Sequence, residues 1–157
     1  MVLGKVFSPD RILVNLESDD KEEVFEELVN TFCVSVPFSN RVQIITALKE
    51  REDKMSTGVK KGIAVPHARL NTVEGVKGVI GISRKGLDYD ALDGEPVYVV
   101  FMLLSSDKDA ALHLRVLKRL AQLLDDPDFC KTLMNQRDSE SCYNVVCKFE
   151  DKLCSVD

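Results

Sequence analysis

Residues 51–69, REDKMSTGVKKGIAVPHAR, gather the side chains of greatest chemical reach into one span around His67, one of only two histidines in the protein. A neutral imidazole whose tautomer is held by a hydrogen bond at one nitrogen is a good nucleophile toward phosphorus through the other. An ordinary pKa of about 6.5 keeps most of it neutral in a cell. Arg51 offers a planar fork of donors matched to phosphate oxygens and stays charged at any relevant pH; taken by itself it fits better a solvated helix end paired with Glu50 or Glu52. Ser56, Thr57 and Gly58 can turn hydroxyl and amide donors toward an anion, and Ser-Thr-Gly is also an ordinary turn. The Gly-x-x-x-x-Gly-Lys-Ser/Thr spacing of a nucleotide-binding loop is absent, so no nucleotide is expected.

His113 is placed by helical geometry. At about 100° per residue, Arg115, Lys118, Arg119 and Gln122 share one face of a helix over residues 108–124, and His113 points about 160° away from it. It is expected to face inward, where an unsatisfied polar group costs about 1–3 kcal/mol. Its partner is either a backbone carbonyl or His67 and a phosphate that His67 carries. A place in the first turn, near free amides and the positive dipole end, suits a site that holds an anion.

These residues need a frame. Asp19 with Glu22 predicts a capping box for a helix whose buried stripe is Val24, Phe25, Leu28, Val29 and Phe32 and whose outer face is acidic. After Pro37, Ser39 or Asn40 caps a second helix with Val42, Ile45 and Leu48 as its stripe, leading to Arg51. Residues 53–62 turn the chain. Ile63, Ala64 and Val65 predict a short strand ending at Pro66, which has no amide to give a ladder, so His67 stands at a strand end, where ligands collect. Val76, Gly78, Ile80 and Ile82 alternate as a strand, and residues 97–104 are apolar on both faces, as in a strand covered on both sides. Ser105, Ser106 and Asp107 are candidate caps for the helix of His113, and residues 128–137 and 139–153 predict two closing helices. The expected fold is α/β: a three-layer α/β/α sandwich with a mixed central sheet flanked by helices.

The 157 residues fit one domain, and a composition 45% hydrophobic and 30% charged is that of a globular protein. A net charge of −5 argues against nucleic acid as a partner. No run is long enough to span a membrane, and the N-terminus lacks a signal-peptide pattern. Five cysteines without a Cys-x-x-Cys pair fit reduced thiols in the cytoplasm, with no metal site expected. Neither a Gly-x-Ser-x-Gly elbow nor a His-Glu-x-x-His pair is present, and no cysteine lies near either histidine, so hydrolase chemistry is unsupported.

Residues 48–69, LKEREDKMSTGVKKGIAVPHAR, resemble the signature of EIIA domains of the fructose/mannitol class in the bacterial phosphoenolpyruvate-dependent sugar phosphotransferase system, the nitrogen-regulatory branch included. GLDYDALDGEP (86–96) resembles the segment before the family's central strand, and HLRVLKRLAQLL from His113 resembles the helix with a second histidine. The resemblance spans residues 13–146 and implies that residues 1–157 are a single EIIA type-2 domain. It implies a phosphohistidine carrier: His67 accepts a phosphoryl group from the HPr-type phosphocarrier protein and passes it to an EIIB partner, or its phosphorylation state is read by a regulatory target. Arg51 matches the family arginine at the site, and His113 the histidine that contacts the phosphate or orients the first ring. Transfer between two phosphohistidines needs no metal, nucleotide or other cofactor. The alternative is a regulatory interaction module with the same fold and no phosphotransfer. With no EIIB or EIIC segment beside it, the regulatory branch is the expectation. The family pattern Ser-Thr-Gly-x-Gly-x-Gly is broken by Lys60, and Ala68 stands where a glycine often follows the histidine.

Overall fold

The computed structural model describes residues 2–58 and 60–156; Val59, part of the turn expected after residue 53, lies outside the described residues. Helices α1 (Leu3–Val6), α2 (Lys21–Ser35), α3 (Arg41–Lys54), α4 (Ala110–Leu124), α5 (Pro127–Met134) and α6 (Ser139–Val156) accompany strands β1 (Ile12–Leu13), β2 (Ile63–Ala64), β3 (His67–Leu70), β4 (Val76–Leu87) and β5 (Val97–Ser106). The sheet runs β1-β4-β5-β2, with β3 also on β5. It is mixed, since β4 and β5 are antiparallel while β1 is parallel to β4, and β2 and β3 are parallel to β5.

The apolar run of β5 divides by the period of two that a strand imposes. Val100, Met102 and Leu104 pack into a core with Phe25, Leu28 and Leu48 of α2 and α3. Val99, Phe101 and Leu103 pack on the other face with Val116, Leu120 and Phe129 of α4 and α5. Burying a side chain as large as Phe101 contributes about 1.5–3 kcal/mol. Two cores on opposite faces of one sheet are the three layers expected.

Several local expectations shift. Asp20, not Asp19, caps α2, accepting from Glu23 N at 2.9 Å, while Glu23 reaches back to Asp19 N at 3.1 Å. The box is formed one residue later than expected because the dipeptide offers two aspartates. Asn40 caps α3 through Gln43 N at 3.1 Å. Val42 is 70% exposed, and Ile44 stands with Ile45 and Leu48 on the buried stripe. Helix α4 opens at Ala110 with Asp109 before it making no side-chain cap, and Ser106 Oγ accepts from Lys108 N at 3.1 Å.

The strand does not end at Pro66. Ile63 pairs with Val99, Ala64 with Val100 and His67 with Leu103, so β2 and β3 are two pieces of one edge strand in a single register. Proline withholds one ladder bond, which splits the strand, yet its carbonyl still accepts from Leu103 N at 2.9 Å. Gly62, in the turn before β2, has φ +76°. The Lys60 ammonium lies 2.6 Å from Asp125 at the end of α4.

Candidate functional site

The register of the edge strand decides where His67 points. Ile63 and Val65 pack toward the layer of α4, whereas Ala64, Ala68 and Leu70 join the core under α2 and α3. His67 shares the parity of Ile63 and Val65, and its ring meets that of His113 with centroids 5.6 Å apart and planes inclined by 50°. The two histidines, 46 positions apart in the chain, form one site.

Because the groups of Pro66 face β5, those of Val65 face the open edge of the sheet. There Val65 N donates to Thr57 O at 3.1 Å, and Val65 O lies 2.8 Å from His67 Nδ1. A carbonyl only accepts, so Nδ1 carries the proton in this bond and Nε2 keeps its lone pair. Burial pushes the His67 pKa below its ordinary value; the Val65 bond opposes that shift, Arg51 adds to it, and Glu52 opposes it. The ring is neutral near pH 7.

His113 is 8% exposed, and its Nδ1 is 2.6 Å from Ser105 Oγ, itself fully buried at the end of β5. Its partner is thus a hydroxyl and not a carbonyl, and Ser105, expected as a capping candidate, is the group that holds the second histidine. Burial first, then the neighbouring His67 and Arg69, lower its pKa to about 4.

The rings open into a cleft of about 970 Å³ whose wall includes Arg51, Lys54, Arg69 and Leu114. Arg51 comes from the last turn of α3, where its Nη1 donates to Met55 O at 3.0 Å, and so is tethered to its own helix end. Arg69 follows His67 by two residues and shares its strand face. That signal was present in the sequence, but a strand ended at Pro66 hides it. The arrangement offers an imidazole lone pair, a second neutral imidazole and guanidinium charge within one cleft, which is what an arriving phosphoryl group requires.

Ser56, Thr57 and Gly58 are not brought into that cleft. Thr57 is 3% exposed, and its amide and hydroxyl donate to Glu52 at 2.8 and 2.6 Å; Gly58 N donates to Ser56 Oγ at 3.2 Å. A Cβ on Gly58 would stand 2.7 Å from that of Ala91, so the glycine permits close packing. The side chain that the sequence concealed is Glu52, 7% exposed, which pairs with Lys21 at 3.1 Å.

The family described as "Phosphoenolpyruvate-dependent sugar phosphotransferase system, EIIA 2" matches residues 5–148. The nitrogen regulatory protein of Pseudomonas aeruginosa is 33% identical over 144 residues, covering 92% of this chain and 94% of that protein. The PTS system fructose-specific EIIABC component of Bacillus subtilis is 31% identical over 146 residues, 93% of this chain; the match spans 23% of that longer protein. The crystal structure of nitrogen regulatory protein IIA-Ntr from Neisseria meningitidis superposes with a TM-score of 0.85 at 28% identity, over 92% of this chain and 99% of that one. Among the described residues no helix is long and apolar enough to cross a membrane.

Proposed function

This chain belongs to the EIIA 2 family of the phosphoenolpyruvate-dependent sugar phosphotransferase system, and from that premise we propose that it is a phosphohistidine carrier with His67 as acceptor. The observation that carries the reading is the bond from His67 Nδ1 to the Val65 carbonyl at 2.8 Å, which leaves Nε2 as the nucleophile.

A phosphohistidine of an HPr-type protein enters the cleft. The Nε2 lone pair of His67 attacks phosphorus, and the P–N bond of the donor breaks with its electron pair returning to the donor nitrogen. The donor ring, protonated on its other nitrogen, leaves neutral. His67 keeps its proton on Nδ1 throughout, donated to the Val65 carbonyl, where it offsets the charge of the new phosphoimidazole. Arg51 supplies positive charge to the equatorial oxygens. Ser105 has no second acceptor for its proton among the described contacts, so it donates to His113 Nδ1, and His113 Nε2–H is then a donor to the phosphoryl group.

The reverse exchange delivers the group to an EIIB partner, or the phosphorylated cleft is itself the signal. The names of the Pseudomonas and Neisseria relatives support a regulatory output; the reading places the carrier in the cytoplasm, with residues 1–157 acting as one EIIA domain.

The test is incubation with enzyme I, HPr and phosphoenolpyruvate. An acid-labile phosphate that vanishes in His67→Ala is expected. Absence of label on the wild type while HPr is labelled overturns the carrier reading and leaves an interaction module with this fold.

A further inference from the structure

We infer that Glu52 is a positioning residue for His67, acting through Thr57 and Val65, an inference that rests on His67 being the phosphoryl acceptor. Glu52 follows Arg51 in the last turn of α3 and is buried. A carboxylate at that depth persists when its oxygens are filled by donors. Oε2 receives Thr57 N at 2.8 Å and Lys21 Nζ at 3.1 Å. Oε1 receives the Thr57 hydroxyl at 2.6 Å, and that hydroxyl lies 2.8 Å from Tyr89 OH, which is 3.4 Å from Oε1.

What is gripped so firmly is Thr57, and Thr57 has one further task. Its carbonyl takes Val65 N at 3.1 Å, on the side of the edge strand where, among the described residues, no further strand pairs. Val65 then presents its own carbonyl to His67 Nδ1 at 2.8 Å. The tilt of the Val65 peptides, and with it the aim and tautomer of the ring, is therefore referred to Glu52. One helix end sends Arg51 into the cleft and Glu52 behind the strand that carries the acceptor.

A pair of substitutions separates position from charge. Glu52→Ala removes the grip. Glu52→Gln keeps it, because the amide can place its oxygen on Thr57 N and Lys21 and donate its NH₂ to the Thr57 hydroxyl, which accepts. In the unphosphorylated protein, imidazole ¹⁵N shifts report the His67 tautomer; with labelled HPr, initial rates report transfer. Glu52→Ala is expected to mix the tautomers and lower kcat by about tenfold or more with KM for HPr little changed, as misplacing a reacting group does. Glu52→Gln is expected to restore the Nδ1–H tautomer and a kcat within about threefold of wild type. It should also lower the His67 pKa further, since a charge that favoured the imidazolium is gone. A folded Glu52→Ala with wild-type tautomer and rate overturns the proposal, as does a Glu52→Gln as impaired as Ala, which would assign the effect to charge. If Glu52→Ala does not fold, Thr57→Val decides: a mixed tautomer supports the relay, and an unchanged one overturns it. A wild type that takes no label refutes the carrier reading alone, because the tautomer measurement still judges Glu52.

Discussion

Ser105→Ala removes a single buried oxygen, and its two consequences can be measured apart. The hydroxyl is fully buried and 2.6 Å from His113 Nδ1, a ring atom that is itself shut away from water. Leaving that nitrogen without a partner costs about 1–3 kcal/mol. For a chain of this size each kcal/mol moves Tm by roughly 2–4 °C, so a fall of about 2–12 °C is expected by thermal unfolding. The second consequence concerns the tautomer. Donation from Ser105 holds His113 with its proton on Nε2, the nitrogen proposed to meet the phosphoryl group. A hydrogen bond of net worth about 0.5–1.5 kcal/mol biases the two tautomers by a factor of roughly 2–12, and transfer from phospho-HPr should slow by about that factor. The assay is the initial rate of labelling at limiting phospho-HPr, run well below the lowered Tm so that every molecule counted is folded. A variant that melts lower and transfers at the wild-type rate refutes the proposal that His113 donates to phosphate and leaves it a packing residue of α4.

Acid should weaken the fold in a defined window. His113 has a pKa of about 4 when folded and about 6.5 when unfolded, so between these values the unfolded chain binds more protons. Stability is complete above about pH 6.5 and falls as pH drops toward 4, by up to about 3 kcal/mol, with His67 acting in the same direction. Urea melts at about pH 7.5 and 4.5 should show this loss reduced in His113→Gln; an equal loss in both proteins refutes the assignment. A second prediction concerns Glu150 on α6, which is fully buried and accepts from Val2 N at 3.1 Å, Leu3 N at 2.9 Å and Gly4 N at 3.2 Å, with Arg119 at 3.7 Å. Glu150→Ala strands those amides and that guanidinium and is expected to cost about 3–5 kcal/mol in urea unfolding, with faster exchange of the Leu3 amide; a loss under about 1 kcal/mol refutes the lock.

Periodicity made the layers legible. The stripe of α2 and the two-faced run of β5 follow from the geometry of a helix and of a covered strand, and the inward direction of His113 follows from its angle to four polar residues. What could not be seen from periodicity depends on partners far apart in the chain. Glu52 sits within the charged string Glu50-Arg51-Glu52-Asp53; its spacing of four from Leu48 puts it on the buried stripe of α3, but only the fold brings Thr57, Tyr89 and Lys21 to meet it there. Ser105 stands where a helix cap would, and only the pairing of β5 with β3 places it under His113. Pro66 is a breaker by every local rule, and an edge strand tolerates it because the neighbour supplies the register on both sides. The short helix α1 carries no periodic signal at four residues; it is held by Glu150 from the other end of the chain.

The single register running through Pro66 makes the length of that edge a discrete quantity. Adding or deleting one residue between Ala64 and His67 would hand the position of the histidine to its neighbour, sending the ring into the α2–α3 core and an apolar side chain toward His113. Adding two would restore the face and carry the ring about 6–7 Å along β5, beyond the reach of His113 and Arg51 together.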